Sequence, residues 1–260
     1  MPRRATVARP FAATVVLAAL LCGACARPAA PRKLTIAAAA DLKFALEELA
    51  AEFRRGHPGV DIQPTYGSSG NFYSQIGAGA PFDLFLSADV DYPRRLLRNG
   101  IGAADSLFVY GAGRIVVWVP AGSKLDPATA LGDGSLRHVA IANPAHAPYG
   151  RAAEAAMRSL GIYDALRPKL VLGENVAQAF EFVQSGAAEA GIVALSLALA
   201  PPVRDQGRYW EIPVDAYPRI DQGGLILKDS GEARAFRAFL GSGAARDILK
   251  RYGFSPPEAQ

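Results

Sequence analysis

The stretch "TYGSSGNFYSQIGAGAPFDLFLSAD", Thr65 to Asp89, carries the clearest indication of the fold. Its first residues end a strand-like run, "VDIQPTY", and a loop rich in glycine and serine follows. "NFYSQIGAG" then has a helical pattern, and "FDLFLSA" is a second apolar strand. This order predicts α/β layering, in which the start of a helix meets the carboxyl end of a sheet. Ser68, Ser69 and Gly70 form a typical anion-binding loop, although no lysine or arginine stands beside them.

The alternation of strands and helices continues on both sides of this stretch. "KLTIAAAA" and the helical "DLKFALEELAAEFRRG" precede it, and a second α/β set begins at "HVAIANP". We therefore expect two lobes, with residues 34–112 and 218–260 in lobe 1 and residues 113–217 in lobe 2. The chain would enter lobe 2 through Gly113–Pro120 and return around Val214–Pro218. Two crossovers of this kind are suited to a hinge that closes over a ligand.

Residues 1–25 have the pattern of an export signal. Arg3, Arg4 and Arg9 form a basic start without any acid, and an apolar run follows from Phe11 to Leu21. Eleven apolar residues are too few to cross a bilayer, which needs about 20. The sequence therefore predicts an exported, periplasmic protein rather than one anchored by a helix.

The two cysteines, Cys22 and Cys25, fall inside this leader. Their spacing also occurs in redox motifs and in zinc sites, but their position favours signal processing. "LLCGAC" is similar to a lipobox, which would make Cys25 the site of lipidation. Cleavage by an ordinary signal peptidase after Ala26 is the alternative. Residues 26–33, "ARPAAPRK", would then be a short tether.

The charge of the chain gives no indication of nucleic-acid binding. The formal net charge is +4, but 25 basic and 24 acidic side chains remain once the leader is removed. Binding to nucleic acid requires clustered lysine and arginine, and the sequence has no such cluster.

Four strand-to-helix junctions share one design, a short loop of small or polar residues before a helix. Each helix start offers unpaired backbone N–H groups and about half a positive charge. Several of them meeting at one point would bind a small oxyanion without any lysine. The junctions are Ala40–Asp41, Ser68–Gly70, Ala147–Gly150 and Glu174–Val176.

Taken singly, each candidate residue has a simpler interpretation. Ser69 and Asp41 are common helix caps. Tyr149 would be an ordinary buried tyrosine, and Val176 the first apolar residue of its helix. The junctions therefore matter only as a set.

The segments "TIAAAADLKFAL", "YGSSGNFYSQIGAGAPFDLFLSAD", "IANPAHAPYGRAAEAAM", "PKLVLGENVAQAFEFVQSGAAEAGIV" and "KRYGF" occur in an order that resembles the periplasmic molybdate-binding proteins of ABC importers. The resemblance runs from about Lys33 to Phe254. It implies the two-lobed periplasmic-binding-protein (type II) fold, with the ligand in a cleft between lobes. It also implies a monomer that captures molybdate, with tungstate as a second ligand, and delivers it to an ABC permease in the inner membrane. No catalysis and no cofactor are implied, and no site for a bare metal cation.

The resemblance assigns ligand-binding roles to matching positions of this chain. Ser69 would supply its hydroxyl and N–H, Val176 a backbone N–H, and Tyr149 its hydroxyl. Ala194 lies where some members carry a ligand tyrosine, which places this chain in the branch that uses Tyr149. Ala40 and Ser68 are weaker candidates, as backbone neighbours of the site.

Asp41 departs from the family pattern, where serine or asparagine often stands at this position. An ionised carboxylate about 4 Å from a unit negative charge would cost roughly 4 kcal/mol at an effective dielectric of 20. Asp41 must therefore turn away to cap its own helix and lend only its N–H, or be protonated. We expect the first, because aspartate is a good N-cap.

Three alternatives remain open. The ligand of the same type of receptor could be another small oxyanion or an organic acid, with Asp41 recognising a hydroxyl or a proton. A serine hydrolase would use Ser69 with a histidine, but "GSSG" is not the GxSxG motif, and only His146 is near a candidate loop. The effector-sensing half of a transcription regulator is disfavoured by the leader and by the lack of a helix-turn-helix segment.

Overall fold

The computed structural model describes residues 1–2 and 32–257. The predicted export signal, with Cys22 and Cys25, lies outside the described residues apart from its first two, as does most of the tether. From residue 32 onwards the described chain belongs to one compact unit. None of the described helices is both long and apolar enough to cross a bilayer.

Strands and helices alternate along most of the described chain. The strands are β1 Arg32–Ala39, β2 Val60–Gly67, β3 Leu84–Ser87, β4 Phe108–Gly113, β5 Ile115–Pro120, β6 Val139–Ala142, β7 Leu170–Gly173, β8 Ala190–Ala194, β9 Gly207–Glu211 and β10 Ile220–Ile226. The α-helices are α1 Lys43–Gly56, α2 Ser69–Gly77, α3 Asp91–Arg98, α4 Pro148–Ser159, α5 Tyr163–Leu166, α6 Val176–Gln184, α7 Leu195–Ala198, α8 Gly231–Leu240 and α9 Gly243–Arg251. Short 3-10 helices span Ala40–Leu42, Ala130–Gly132, Arg167–Lys169 and Val214–Ala216.

The strands form two five-stranded mixed sheets of the same design. The first has the order β2-β1-β3-β10-β4, in which β1 runs parallel to β2 and β3 while β10 is antiparallel to β3 and β4. The second has the order β7-β6-β8-β5-β9, in which β6 runs parallel to β7 and β8 while β5 is antiparallel to β8 and β9. The predicted α/β class with two lobes is confirmed. The lobe boundaries and the hinge remain predictions.

The chain passes between the two sheets twice. At the predicted crossover Gly113–Pro120, Gly113 ends β4 in the first sheet and Ile115 begins β5 in the second. Arg114 is the single residue between them. The return path follows β9 and leads into β10.

Apolar faces of the helices cover these sheets. In α1 the buried side chains recur at the spacing of one helix face, from Ala45 and Leu46 to Leu49 and Phe53. In the second sheet Trp118 is fully buried, and its ring lies 4.7 Å from that of Phe180 on α6. Burying a large apolar side chain contributes about 1.5–3 kcal/mol, so these contacts hold the helix starts firmly against the sheets.

Candidate functional site

One small cavity gathers residues from all four strand-to-helix junctions. Its lining includes Ala40 and Asp41 after β1, Ser68 and Ser69 after β2, Ala147 to Tyr149 at the start of α4, and Asn175 and Val176 at the start of α6. Two of these junctions belong to the first sheet and two to the second. The free volume of the cavity is about 10 Å³. A cavity this small suits only a compact ligand.

None of the described residues that line the cavity is basic. Among them, Asp41 and Tyr149 alone have ionisable side chains. Within residues 1–2 and 32–257, no cluster of histidine, cysteine, aspartate and glutamate is suited to hold a metal ion. Any anion in this cavity would therefore be bound by neutral donors.

The start of α2 presents donors to the cavity. Ser68 is the N-cap, and its Oγ accepts a hydrogen bond from the N–H of Asn71 at 3.3 Å. Ser69 is fully buried, and its Oγ accepts from the N–H of Ala88 at 2.9 Å. Because that bond uses the oxygen as an acceptor, the Ser69 hydroxyl hydrogen can be donated to a ligand.

The start of α6 is built in the same way. Asn175 is the N-cap, and its Oδ1 accepts from the N–H groups of Ala177 at 3.0 Å and Gln178 at 3.1 Å. Val176 is the first residue of the helix and is buried beside the cavity. First-turn N–H groups have no partner within their own helix, so that of Val176 is available to a ligand.

Tyr149, near the start of α4, is held by a chain of hydrogen bonds. The Tyr149 hydroxyl donates to Oδ2 of Asp41 at 2.8 Å and accepts from Nε2 of Gln222 at 3.4 Å. The Tyr110 hydroxyl donates to Oε1 of Gln222 at 3.1 Å. A side chain at Gly113 would not fit, because a Cβ there would lie 2.0 Å from the Tyr149 hydroxyl oxygen.

Asp41 does not cap its own helix, so the expectation from the sequence is wrong. Neither the 3-10 helix Ala40–Leu42 nor α1 has a side-chain cap. The carboxylate instead accepts a hydrogen bond from Tyr149, on a helix far along the chain. This contact replaces the expected capping bond to the backbone of its own helix. The backbone carbonyl of Asp41 also accepts a hydrogen bond from Ser196 Oγ at 2.7 Å.

The carboxylate of Asp41 is in an unfavourable place for a charge. The residue is 1% exposed, and its Oδ1 has no hydrogen-bond partner among the described residues. Burial raises the pKa of this carboxyl from 3.8 to about 7, although the hydrogen bond from Tyr149 lowers it in part. Burial likewise raises the pKa of the Tyr149 hydroxyl well above 10, so that hydroxyl keeps its proton.

Contacts beside the cavity join elements of the two sheets. The Gly70 N–H, on α2, donates to the carbonyl of His146 at 2.9 Å, and Ser68 Oγ lies 2.9 Å from His146 Nδ1. Arg151, on α4, donates to Asp89 Oδ2 at 2.6 Å. These contacts therefore connect the junctions of one sheet to elements of the other outside the cavity.

The structure also places the remaining residues considered from the sequence. His146 does not line the cavity but bonds to Ser68 at its edge. Ala194 ends β8, pairs with Ile115, and does not line the cavity either. Sequence reasoning missed Gln222. The signal was a polar residue inside the buried run "IDQGGLI", because a fully buried glutamine amide needs partners.

Comparisons with known proteins agree with this geometry. Residues 34–255 match the family model described as bacterial extracellular solute-binding protein. The molybdate-binding protein ModA of Rhodobacter capsulatus is 38% identical over 88% of this chain and 90% of its own length. ModA of Azotobacter vinelandii is 36% identical over 94% of this chain and 98% of its own. The solved structure of the A. vinelandii periplasmic molybdate-binding protein superposes with a TM-score of 0.80 at 32% identity, covering 86% of this chain and all of that one.

Proposed function

Because the chain belongs to the bacterial extracellular solute-binding protein family, we propose that it is a receptor that captures molybdate, with tungstate as a second ligand. It would deliver the anion to an ABC permease in the inner membrane. The relatives named above are molybdate-binding proteins, and the similarity covers nearly the whole length of each. That coverage supports carrying the receptor role to this chain.

The observation that carries the proposal is the meeting of neutral donors at one compact cavity. Ser69 brings a hydroxyl and the first turn at Val176 brings an N–H, whereas the Tyr149 hydroxyl gives its hydrogen to Asp41 beside the cavity. Ala40 and Ser68 contribute backbone at the edge. A tetrahedral oxyanion has acceptors in every direction, and helix starts from two sheets can surround it. Selection against sulfate would follow from the size of the cavity, since both anions offer the same acceptors.

Binding and closure, rather than a reaction, would be the functional event. The contacts that join the two sheets, such as Gly70 to His146, would form when the lobes close on the ligand. Residues 34–112 with 218–260 and residues 113–217 would be the moving bodies, with Arg114 and the return near Pro218 as hinges. Neither a cofactor nor a second subunit is needed for this cycle, so we propose a monomer.

The hydrolase alternative assigned the nucleophile to Ser69, which no described histidine contacts. Ser69 Oγ accepts a hydrogen bond from the N–H of Ala88, and His146 bonds to Ser68 instead. A serine-reactive fluorophosphonate probe should therefore not label the protein. Labelling of Ser68 or Ser69 would revive that alternative.

A periplasmic location is supported by the family and by the predicted export signal in residues 1–25. Export to the periplasm would place the receptor beside its permease. Lipidation of Cys25 would tether it to the membrane, while cleavage after Ala26 would release it. Mass spectrometry of the mature N-terminus distinguishes the two forms.

A ligand panel tests the proposed function. At a ligand concentration of 100 times Kd, binding stabilises the fold by about 2.7 kcal/mol, which raises the Tm of a domain this size by about 5–11 °C. We expect this shift with sodium molybdate and sodium tungstate, and smaller shifts with sulfate and phosphate at equal concentration. The largest shift with an organic acid or another oxyanion would favour the rival receptor instead.

A further inference from the structure

We propose that Asp41 binds the oxyanion as a carboxylic acid, through a hydrogen bond donated by Oδ1, so that one proton enters the site with each anion. This inference rests on the proposed function and adds a specific role for Asp41. The proton comes from solvent, is held on Oδ1 in the closed complex, and returns to solvent when the lobes open.

The first support is the unequal state of the two carboxylate oxygens. Oδ2 accepts a hydrogen bond from the Tyr149 hydroxyl at 2.8 Å, whereas Oδ1 is buried without a partner among the described residues. Asp41 also belongs to the cavity lining. A buried oxygen without a partner is costly unless something completes its hydrogen bonding. A ligand oxygen in the cavity would do so if Oδ1 carried a hydrogen.

The second support is the direction of the hydrogen-bond chain behind Asp41. The Tyr110 hydroxyl reaches two acceptors, Oε1 of Gln222 at 3.1 Å and the carbonyl of Ser87 at 3.3 Å, and the shorter contact places the Gln222 amide nitrogen toward Tyr149. That nitrogen donates to the Tyr149 oxygen, and the single hydrogen of Tyr149 goes to Oδ2 of Asp41. Tyr149 is thereby a donor to Asp41 and an acceptor from Gln222. Oδ2 is committed as an acceptor, which leaves Oδ1 as the oxygen for an added proton.

Among the described residues, no positively charged side chain offsets the carboxylate of Asp41. The titratable groups facing it are the hydroxyls of Tyr149 on α4 and Tyr110 on β4, both of which stay neutral because burial raises their pKa. On its own segment, Lys43 is exposed and pairs with Glu181 of α6. From the α2 side, His146 bonds to Ser68 rather than to Asp41.

An anion beside Asp41 further favours the protonated form of its carboxyl. Burial, offset in part by hydrogen bonding, raises the carboxyl pKa to about 7, and a neighbouring negative charge raises it further. In an open cleft exposed to water, the same carboxyl would titrate near its ordinary pKa of about 3.9. The complex therefore holds a proton that the open receptor lacks, and affinity falls as pH rises. Between about pH 4 and pH 7 the expected rise in Kd is up to about tenfold per pH unit.

Calorimetry with sodium molybdate measures this proton directly. Titrations at pH 6.5 in buffers of different ionisation enthalpy give the number of protons taken up for each anion bound. We expect about one for the unaltered protein and about zero for Asp41→Asn, whose amide supplies the same donor without titrating. The Kd of the variant should also be independent of pH between about 5 and 7.

Each outcome decides the inference. Binding without proton uptake in the unaltered protein would overturn it, whether or not Asp41→Asn folds and binds. Equal uptake in both proteins would also overturn it, because the proton would then belong to another group such as His146. Absence of any binding heat with molybdate or tungstate in the unaltered protein would instead contradict the proposed function, and the inference would fall with it.

Discussion

The two ends of the cavity differ in the groups that face the ligand. At one end, the starts of α2 and α6 present Ser69 and Val176, and the caps Ser68 and Asn175 keep each helix start in place. At the other end, Asp41 and Tyr149 face the cavity from a chain of buried side chains. The first end offers the same donors at every pH. The second offers a donor only while Asp41 carries a proton, so affinity and its dependence on pH have separate origins.

The largest effect that separates the two ends concerns the stability of the complex with molybdate. Burial in the closed form raises the carboxyl pKa of Asp41 from 3.8 to about 7, so the complex resists ionisation of Asp41. In saturating sodium molybdate the stability is fully present below pH 4 and is lost as pH rises toward 7, by up to about 4 kcal/mol. Asp41→Asn should therefore raise the free energy of unfolding of the complex at pH 8 and leave it nearly unchanged at pH 4.

Denaturant unfolding at both pH values measures this difference. The pH 4 measurement is the internal control for any general effect of the asparagine side chain. The same change in stability at both pH values would show that burial of the charge at Asp41 does not cost the fold this energy. The second end would then be no more sensitive to pH than the first.

A smaller effect is expected at the first end. Ser69→Ala removes the hydroxyl that accepts from Ala88 and donates to the ligand, which should weaken molybdate binding by about 1–3 kcal/mol. Because serine does not titrate, the loss should be equal at pH 5 and pH 7. Calorimetry at the two pH values checks both statements, and unchanged affinity would remove Ser69 from the site.

Lys43→Ala provides the matched control for Ser69→Ala. Lys43 and Glu181 form a 3.2 Å ion pair between elements of the two sheets, but both side chains are exposed. Exposed pairs contribute about 0–1 kcal/mol, so this variant should bind molybdate nearly as well as the unaltered protein. A loss as large as that of Ser69→Ala would mean that surface contacts between the lobes, rather than donors in the cavity, set the affinity.

The two ends of the cavity also differ in how well the sequence predicts them. Ser69 and Val176 lie at strand-to-helix junctions, which local patterns reveal, and the predicted family resemblance is confirmed by the comparisons. The contact of Asp41 with Tyr149 was not predicted, because the capping rule considers only neighbouring residues. Its actual partner, Tyr149, is 108 positions away. Gln222 and Gly113 depend on the same long-range packing, which no local pattern contains.

A crystal structure of the protein grown with sodium molybdate tests the central claim most directly, that uncharged donors from four junctions hold the anion. We expect the anion between Ser69, Val176 and Asp41, with no lysine or arginine in contact with it. A second, larger cavity lined by Arg94, Arg151 and Arg219 provides the natural alternative. Molybdate bound there, against the arginines, would contradict the account.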